Sequence, residues 1–243
     1  MISIPAQPSD LKFSNRLWPL IATGFFLLAS QTTSVRFELE EIIGKTFEKK
    51  PDSKLIRSVF RRELLREELI YAETFRVVWG YHRLSVVRLT ERGKQVCRSL
   101  RWEPRENEWE RLILRHSGDR QPRHTGSVIT FSLGARVRGW DVTVLPETKT
   151  PFFFPDLLIE KNGERIYVEV ELGSRKKEKW QLYKRTQGFA ALCSKTSASR
   201  ASLIRECYAE KLGGMATDLH YLVKNRDPQS PLWIDTWSSN DKK

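Results

Sequence analysis

The spacing of apolar residues changes along the chain, and each change marks an element. Leu17–Ala29 (LWPLIATGFFLLA) is almost wholly apolar. It falls short of the roughly 20 residues a membrane-crossing helix needs, and Pro19 and Gly24 interrupt it, so it reads as a buried early segment of a small domain. Ser34–Thr46 carries Val35, Leu39, Ile42 and Ile43 at helical spacing, with Ser34 as the expected cap. Pro51-Asp52-Ser53 then breaks the chain. A helix over Lys54–Glu68 is expected to send Leu55, Ile56, Val59, Phe60 and Leu64 to a core. Leu69–Trp79 and Arg83–Leu89 read as strands around a Gly80-Tyr81-His82 tip, and Thr90 opens a closing helix.

Pro104 lies in the charged run Arg101–Glu110 and stops a helix from running through it, which places a boundary near residues 100–106. Beyond it, Trp109–Arg115 is a short amphipathic helix and Ser117–Gly126 a polar loop. Ser127–Arg138 is expected to be helical, although its Val128, Ile129 and Val137 suit a strand almost as well. Trp140–Leu145 and Leu157–Ile159 follow as strands. Asn162-Gly163 is a tight-turn signal, and Arg165–Leu172 alternates as a strand does. Lys176–Arg185 begins a basic helix; Phe189–Ser194 is a strand, Ala198–Leu212 a helix and Leu219–Lys224 a strand. After a Pro-containing turn, Leu232–Trp237 adds an edge strand and Ser238–Lys243 frays. The pattern is that of an α/β (α+β) protein with two domains, residues 12–100 and 106–237.

Composition narrows the partners. The 243 residues carry a net charge of +12, with a pI near 9.8, and the excess is shared equally by residues 1–100 and the remainder. A polyanion is the expected partner. Cys97, Cys193 and Cys207 are odd in number and widely spaced, which fits free thiols in the cytoplasm and no zinc motif. No membrane contact is expected.

Candidate chemistry lies at the Asn162-Gly163 hairpin. With a two-residue loop, Lys161 pairs with Glu164 and Ile159 with Ile166, so Asp156 falls opposite Glu169, with Glu171 close by. Adjacent carboxylates repel unless a cation or proton relieves them, and Mg2+ favours such oxygen ligands. Solvated carboxylates on an edge hairpin are the plainer alternative. Pro155-Asp156 followed by Glu169-Val170-Glu171, with a helix ahead of Trp140 and another behind, resembles the PD-(D/E)xK nuclease superfamily. That resemblance implies a restriction-endonuclease-like mixed sheet, Mg2+ held by Asp156 and Glu169, and Glu171 in the catalytic set where the family usually has Lys. Lys179 lies one helical turn from Tyr183 and is the candidate to supply the missing charge; the plainer reading of this helix is a phosphate-contacting face with Trp180 or Leu182 packed inward. Many members also carry an acid on the first core helix. None stands in Ser127–Arg138, and Glu108 and Glu110 lie well upstream. His124 has two readings, a polar role at the helix start and, the plainer one, a solvated loop histidine.

In the first domain Lys54, Arg57 and Arg61 recur at i, i+3 and i+7, with Arg62 and Arg66 nearby. A basic helix, a hairpin tipped by His82 and Arg83, and the turn Leu89–Lys94 resemble a winged helix-turn-helix domain, which implies binding to double-stranded DNA. Arg175, Lys176 and Lys177 form a second basic cluster suited to phosphates. The two halves together resemble replication-relaxation, plasmid mobilisation-type proteins. Three functions stay open: a Mg2+-dependent DNA endonuclease, a catalytically inactive DNA-binding regulator of a bacterial mobile element, or a scaffold that recruits a protein. By analogy with winged helices, a homodimer is expected.

Overall fold

The computed structural model describes residues 4–78, 82–115, 121–173 and 177–239, the side chains of Val78, His82 and Lys177 excepted. Internal contacts divide the chain into two units, residues 1–75 with 84–115 and residues 76–83 with 116–243.

The first unit begins with α1 (Trp18–Ser30) and α2 (Arg36–Thr46). Burial of Ile21, Phe25 and Leu28 makes α1 a central helix of its core. Among the described helices none is long and apolar enough to cross a membrane. Ser34 does not cap α2. Its hydroxyl and amide instead donate to Glu108, at 3.2 and 3.1 Å, and Val35 takes the cap position without a side-chain bond. The next helix is not continuous. It runs as α3 (Lys54–Ser58), a π-helical turn (Val59–Glu63) and α4 (Leu64–Arg66). The wider i→i+5 turn shifts the inward face: Ile56, Val59, Phe60 and Leu64 are buried, Glu63 joins them, and Leu55, expected inside, is exposed. Ser53 does cap α3, accepting from the Ile56 amide.

Strands β1 (Ile70–Val78) and β2 (His82–Leu89) form a two-stranded sheet. Thr90 caps α5 (Glu91–Ser99) by accepting from the Gly93 amide at 2.9 Å, and its hydroxyl donates to the Glu68 carbonyl. Gly93 is needed at this turn, because a Cβ there would lie 2.1 Å from the Leu69 carbonyl oxygen. The unit ends with α6 (Glu108–Arg115).

The second unit is a six-stranded sheet in sequence order. It comprises β3 (Asp141–Val144), β4 (Leu157–Lys161), β5 (Glu164–Glu171), β6 (Ala190–Ser194), β7 (Gly214–Asp218) and β8 (Asp235–Trp237). The first three strands run antiparallel, β5, β6 and β7 run parallel, and β8 returns antiparallel at the edge. Asn162 and Gly163 have φ of 52° and 83°, the double positive φ of a tight hairpin turn. The register is the expected one, with Lys161 opposite Glu164 and Ile159 opposite Ile166.

Helix α7 spans Pro122–Val137 and begins earlier than expected, so residues 122–126 are helix and not loop. It packs against β3, β4 and β5. The crossovers α8 (Lys177–Thr186) and α9 (Ser197–Ala209) bury Trp180, Tyr183, Leu203 and Cys207 against Leu192 and Ala216. Residues 219–224, expected as a strand, form helix α10 (Leu219–Lys224). Asp218 accepts from the Tyr221 amide at 2.7 Å and caps α10, so the strand is the short, small-residue segment just before it. All three cysteines are buried free thiols.

Candidate active site

Strand alternation puts Glu169 and Glu171 on one face of β5, and the hairpin register carries Asp156 toward Glu169 from the start of β4. All three carboxylates are buried, at 4–7% exposure. They meet α8 through Lys179 and Tyr183, which are one turn apart. The Lys179 ammonium bonds Glu169 Oε1 and lies 3.6 Å from Glu171 Oε2. Tyr183 donates to Glu169 Oε2 at 3.2 Å, and Glu171 accepts from the Gly173 amide at 2.9 Å.

Asp156 is held from two sides. The Val170 amide donates to its Oδ2 at 2.8 Å, and His124 Nε2 lies 3.4 Å from the same oxygen and 3.2 Å from the Val170 carbonyl. His124 stands on the first turn of α7 and is not the solvated loop residue expected. Its signal was Pro122, a residue favoured at the first helical position, which marks a helix start just ahead of it.

These contacts separate the carboxyl groups electrically. Burial alone would raise the Asp156 carboxyl, but the His124 bond and charge and the Val170 amide outweigh it and hold it below its ordinary value. Glu169 moves the other way: burial, then the negative charge of Asp156, push it well up against the pull of Lys179. Burial disfavours charge on His124 and Lys179, yet both titrate high. Asp156 holds up the histidine, and Glu169 chiefly holds up the lysine. Burial and the charge of Glu169 push the Tyr183 phenol well up, so it remains a donor.

Other candidates fall elsewhere. Lys54, Arg57, Arg61, Arg62 and Arg83 are exposed. Arg61 lies 3.7 Å from Glu40, and Arg62 2.7 Å from Glu63. Glu108 and Glu110 belong to the first unit, where Glu108 accepts from Ser34 and Glu110 meets Lys94 at 3.1 Å. Arg175, Lys176 and the side chains of Lys177 and His82 lie outside the described residues.

Among the described residues, no group of three or more His, Cys, Asp and Glu forms a cage for a metal ion. Mg2+ does not require one, because it commonly takes one or two carboxylates and completes its shell with water and phosphate. Asp156 and Glu169 suit that sparse mode, as two of the three buried carboxylates at this site.

No protein-family profile matches the chain, and no curated protein does. Among solved structures it is similar to the restriction endonuclease FokI, at 14% identity over 90% of this chain and 45% of that one, with a TM-score of 0.29. The chain thus spans less than half of that protein, and a likeness this loose establishes neither fold nor activity.

Proposed function

We propose that the protein binds double-stranded DNA and that its second unit is a Mg2+-dependent endonuclease of the PD-(D/E)xK type. One observation carries the reading: Asp156, Glu169 and Glu171 are all buried, with Lys179 paired to both glutamates and Asp156 held by His124 and the Val170 amide. The order α7, three antiparallel strands, α8 and a parallel β6 supports the same superfamily.

Asp156 and Glu169 would hold the ion. Once bound, it would activate a water and neutralise charge on the scissile phosphate. His124 and the Val170 amide fix Asp156 in its ionised form. Tyr183 orients Glu169. Lys179 is 30% exposed, so its ammonium can also face a phosphate, where a fixed cation stabilises developing negative charge. It thereby supplies from α8 the charge that Glu171 does not supply from β5. The first unit is a winged helix in this reading, with Lys54, Arg57, Arg61, Arg62 and the His82–Arg83 tip against the DNA backbone. A homodimer on paired half-sites and a plasmid or other mobile-element setting complete it.

A second reading has a specific observation behind it. Lys179 is ion-paired to Glu169, and Glu171 stands where the resembled superfamily usually has a lysine, which suits a regulator that has lost catalysis. Nicking of supercoiled plasmid in Mg2+ or Mn2+ separates the two, run beside a gel shift in EDTA. The nuclease gives metal-dependent nicking that Asp156→Ala abolishes while DNA binding persists. Binding without nicking leaves the regulator, and absence of both refutes the DNA reading.

A further inference from the structure

The loop that leads into Asp156 presents its side chains in an unusual way. Phe152 is 82% exposed and Phe154 63%, whereas Phe153 between them is buried at 2%. Phe152 also has φ of +63°, a left-handed backbone that is strained for a bulky side chain. Such strain persists only where the surroundings enforce it, and here they do. The Phe153 ring stands edge-on to Tyr167 and Tyr183, at centroid distances of 5.3 and 4.9 Å. Its carbonyl accepts from the Thr148 hydroxyl at 2.7 Å, and Thr150 meets Thr186 at the end of α8 through hydroxyls 3.2 Å apart. The exposed Phe152 ring is therefore carried on an anchored loop.

Two further facts indicate what that ring meets. Phe152 stands four residues before Asp156, which limits their Cα separation to about 14 Å. The exposed cations Lys149, Lys184 and Arg185 lie in the same loop or in the turn of α8 bonded to it. An exposed aromatic ring on a loop that also carries a lysine, bonded to a helix end with two more cations, suits stacking on a nucleobase of an opened strand while phosphates meet the charges. We propose that Phe152 is a stacking prong for an unpaired base beside the scissile phosphate of the proposed site. The inference rests on the proposed nuclease site and narrows its substrate to DNA with a locally opened strand.

The test uses the full chain in EDTA, so that no strand is cut. Two probes are titrated: a duplex with a short unpaired bubble containing 2-aminopurine, and its fully paired counterpart. Wild type is expected to bind the bubble more tightly and to change the 2-aminopurine fluorescence. Phe152→Ala should weaken bubble binding by about 5- to 100-fold and abolish the signal, whereas Phe152→Trp keeps both. Phe152→Gly should lose the signal with no fall in thermal stability, because glycine adopts the positive φ freely, and this separates loss of the prong from loss of folding. Equal binding of both probes, with Phe152→Ala indistinguishable from wild type, overturns the prong and leaves the DNA reading standing. Failure of wild type to bind either probe overturns the DNA reading and the prong with it. A dimer that dissociates in sedimentation when Phe152 is changed to Ala, with DNA binding intact, also overturns the prong and assigns this ring to contact with a second copy.

Discussion

Replacing Lys179 with Met tests the electrostatics of the cluster without DNA. The methionine keeps much of the aliphatic stem and removes the only cation that touches both Glu169 and Glu171 in the described residues. Breaking a buried ion pair costs about 3–5 kcal/mol when the remaining charge has no escape. Here there are two escapes: Lys179 is 30% exposed, and Glu169 can take up a proton. The loss at pH 8 is therefore expected at ~2–3 kcal/mol, which corresponds to a Tm lower by roughly 4–12 °C at ~2–4 °C per kcal/mol.

Its pH dependence is the sharper prediction. Glu169 already has a raised carboxyl pKa, and Lys179 is the influence that lowers it, so the variant raises it further. A carboxyl raised on folding contributes stability that is fully present below its unfolded pKa and is lost as pH rises through the folded value. Lys179 itself, held above its usual value, stays charged across this range and adds no titration. The deficit of Lys179→Met should thus be small at pH 5 and grow toward pH 8, by at most ~1.4 kcal/mol per pH unit for one proton. Calorimetry in EDTA at several pH values measures it. Adding Glu169→Gln should remove most of the growth, because that carboxyl no longer ionises. A deficit independent of pH, or one that Glu169→Gln leaves untouched, would refute the assigned charge pattern.

Two other outcomes follow from the same coordinates. Ca2+, as a non-cutting stand-in for Mg2+, should raise the Tm of wild type more at pH 8 than at pH 5.5, because Glu169 must lose its proton to take the ion; saturation a hundredfold above Kd corresponds to ~2.7 kcal/mol. Asp156→Ala should abolish that response, and an equal response in the variant would remove the metal assignment. Gly93→Ala should destabilise the first unit by about 3 kcal/mol or more, since its Cβ would lie 2.1 Å from the Leu69 carbonyl oxygen; denaturant unfolding monitored by tryptophan fluorescence checks it.

The parts of the fold that were legible are those fixed by local chemistry. Asn162-Gly163 set the hairpin loop, and the two-residue period of residues 165–172 set its register, so the opposition of Ile159 and Ile166 could be written down from the sequence. Thr90 and Ser53 cap helices through amides three residues on, and the bond that Thr90 also donates to the Glu68 carbonyl leaves its oxygen free to accept. Ser34 illustrates the limit, since a glutamate 74 residues away claims its hydroxyl. LHYLVK looks like a strand by alternation, yet the cap at Asp218 starts a helix there. The true strand, GMATD, is made of small residues whose place comes from burial between β6 and β8. His124 was misjudged because its partners, Asp156 and the Val170 carbonyl, lie 32 and 46 residues further on.

In the proposed nuclease, the one departure from the resembled motif has a physical answer within the cluster. Glu171 stands where the resembled superfamily usually has a lysine, and β5 thereby gains a negative charge in place of a positive one. Lys179 and Tyr183, at i and i+4 on α8, reach the two oxygens of Glu169 separately, the ammonium on Oε1 and the phenol on Oε2. In the proposed nuclease this cation on the neighbouring helix would stand in for a strand lysine. The two acids are treated unequally: His124 and the Val170 amide hold Asp156 ionised, whereas Glu169 is pushed toward protonation by burial and by Asp156. The raised Glu169 carboxyl can be answered by a proton or, in the proposed nuclease, by a divalent cation that Asp156 and Glu169 would hold while Lys179 faces a phosphate. The nuclease and regulator readings therefore differ in one physical quantity, the competition between proton and metal for Glu169.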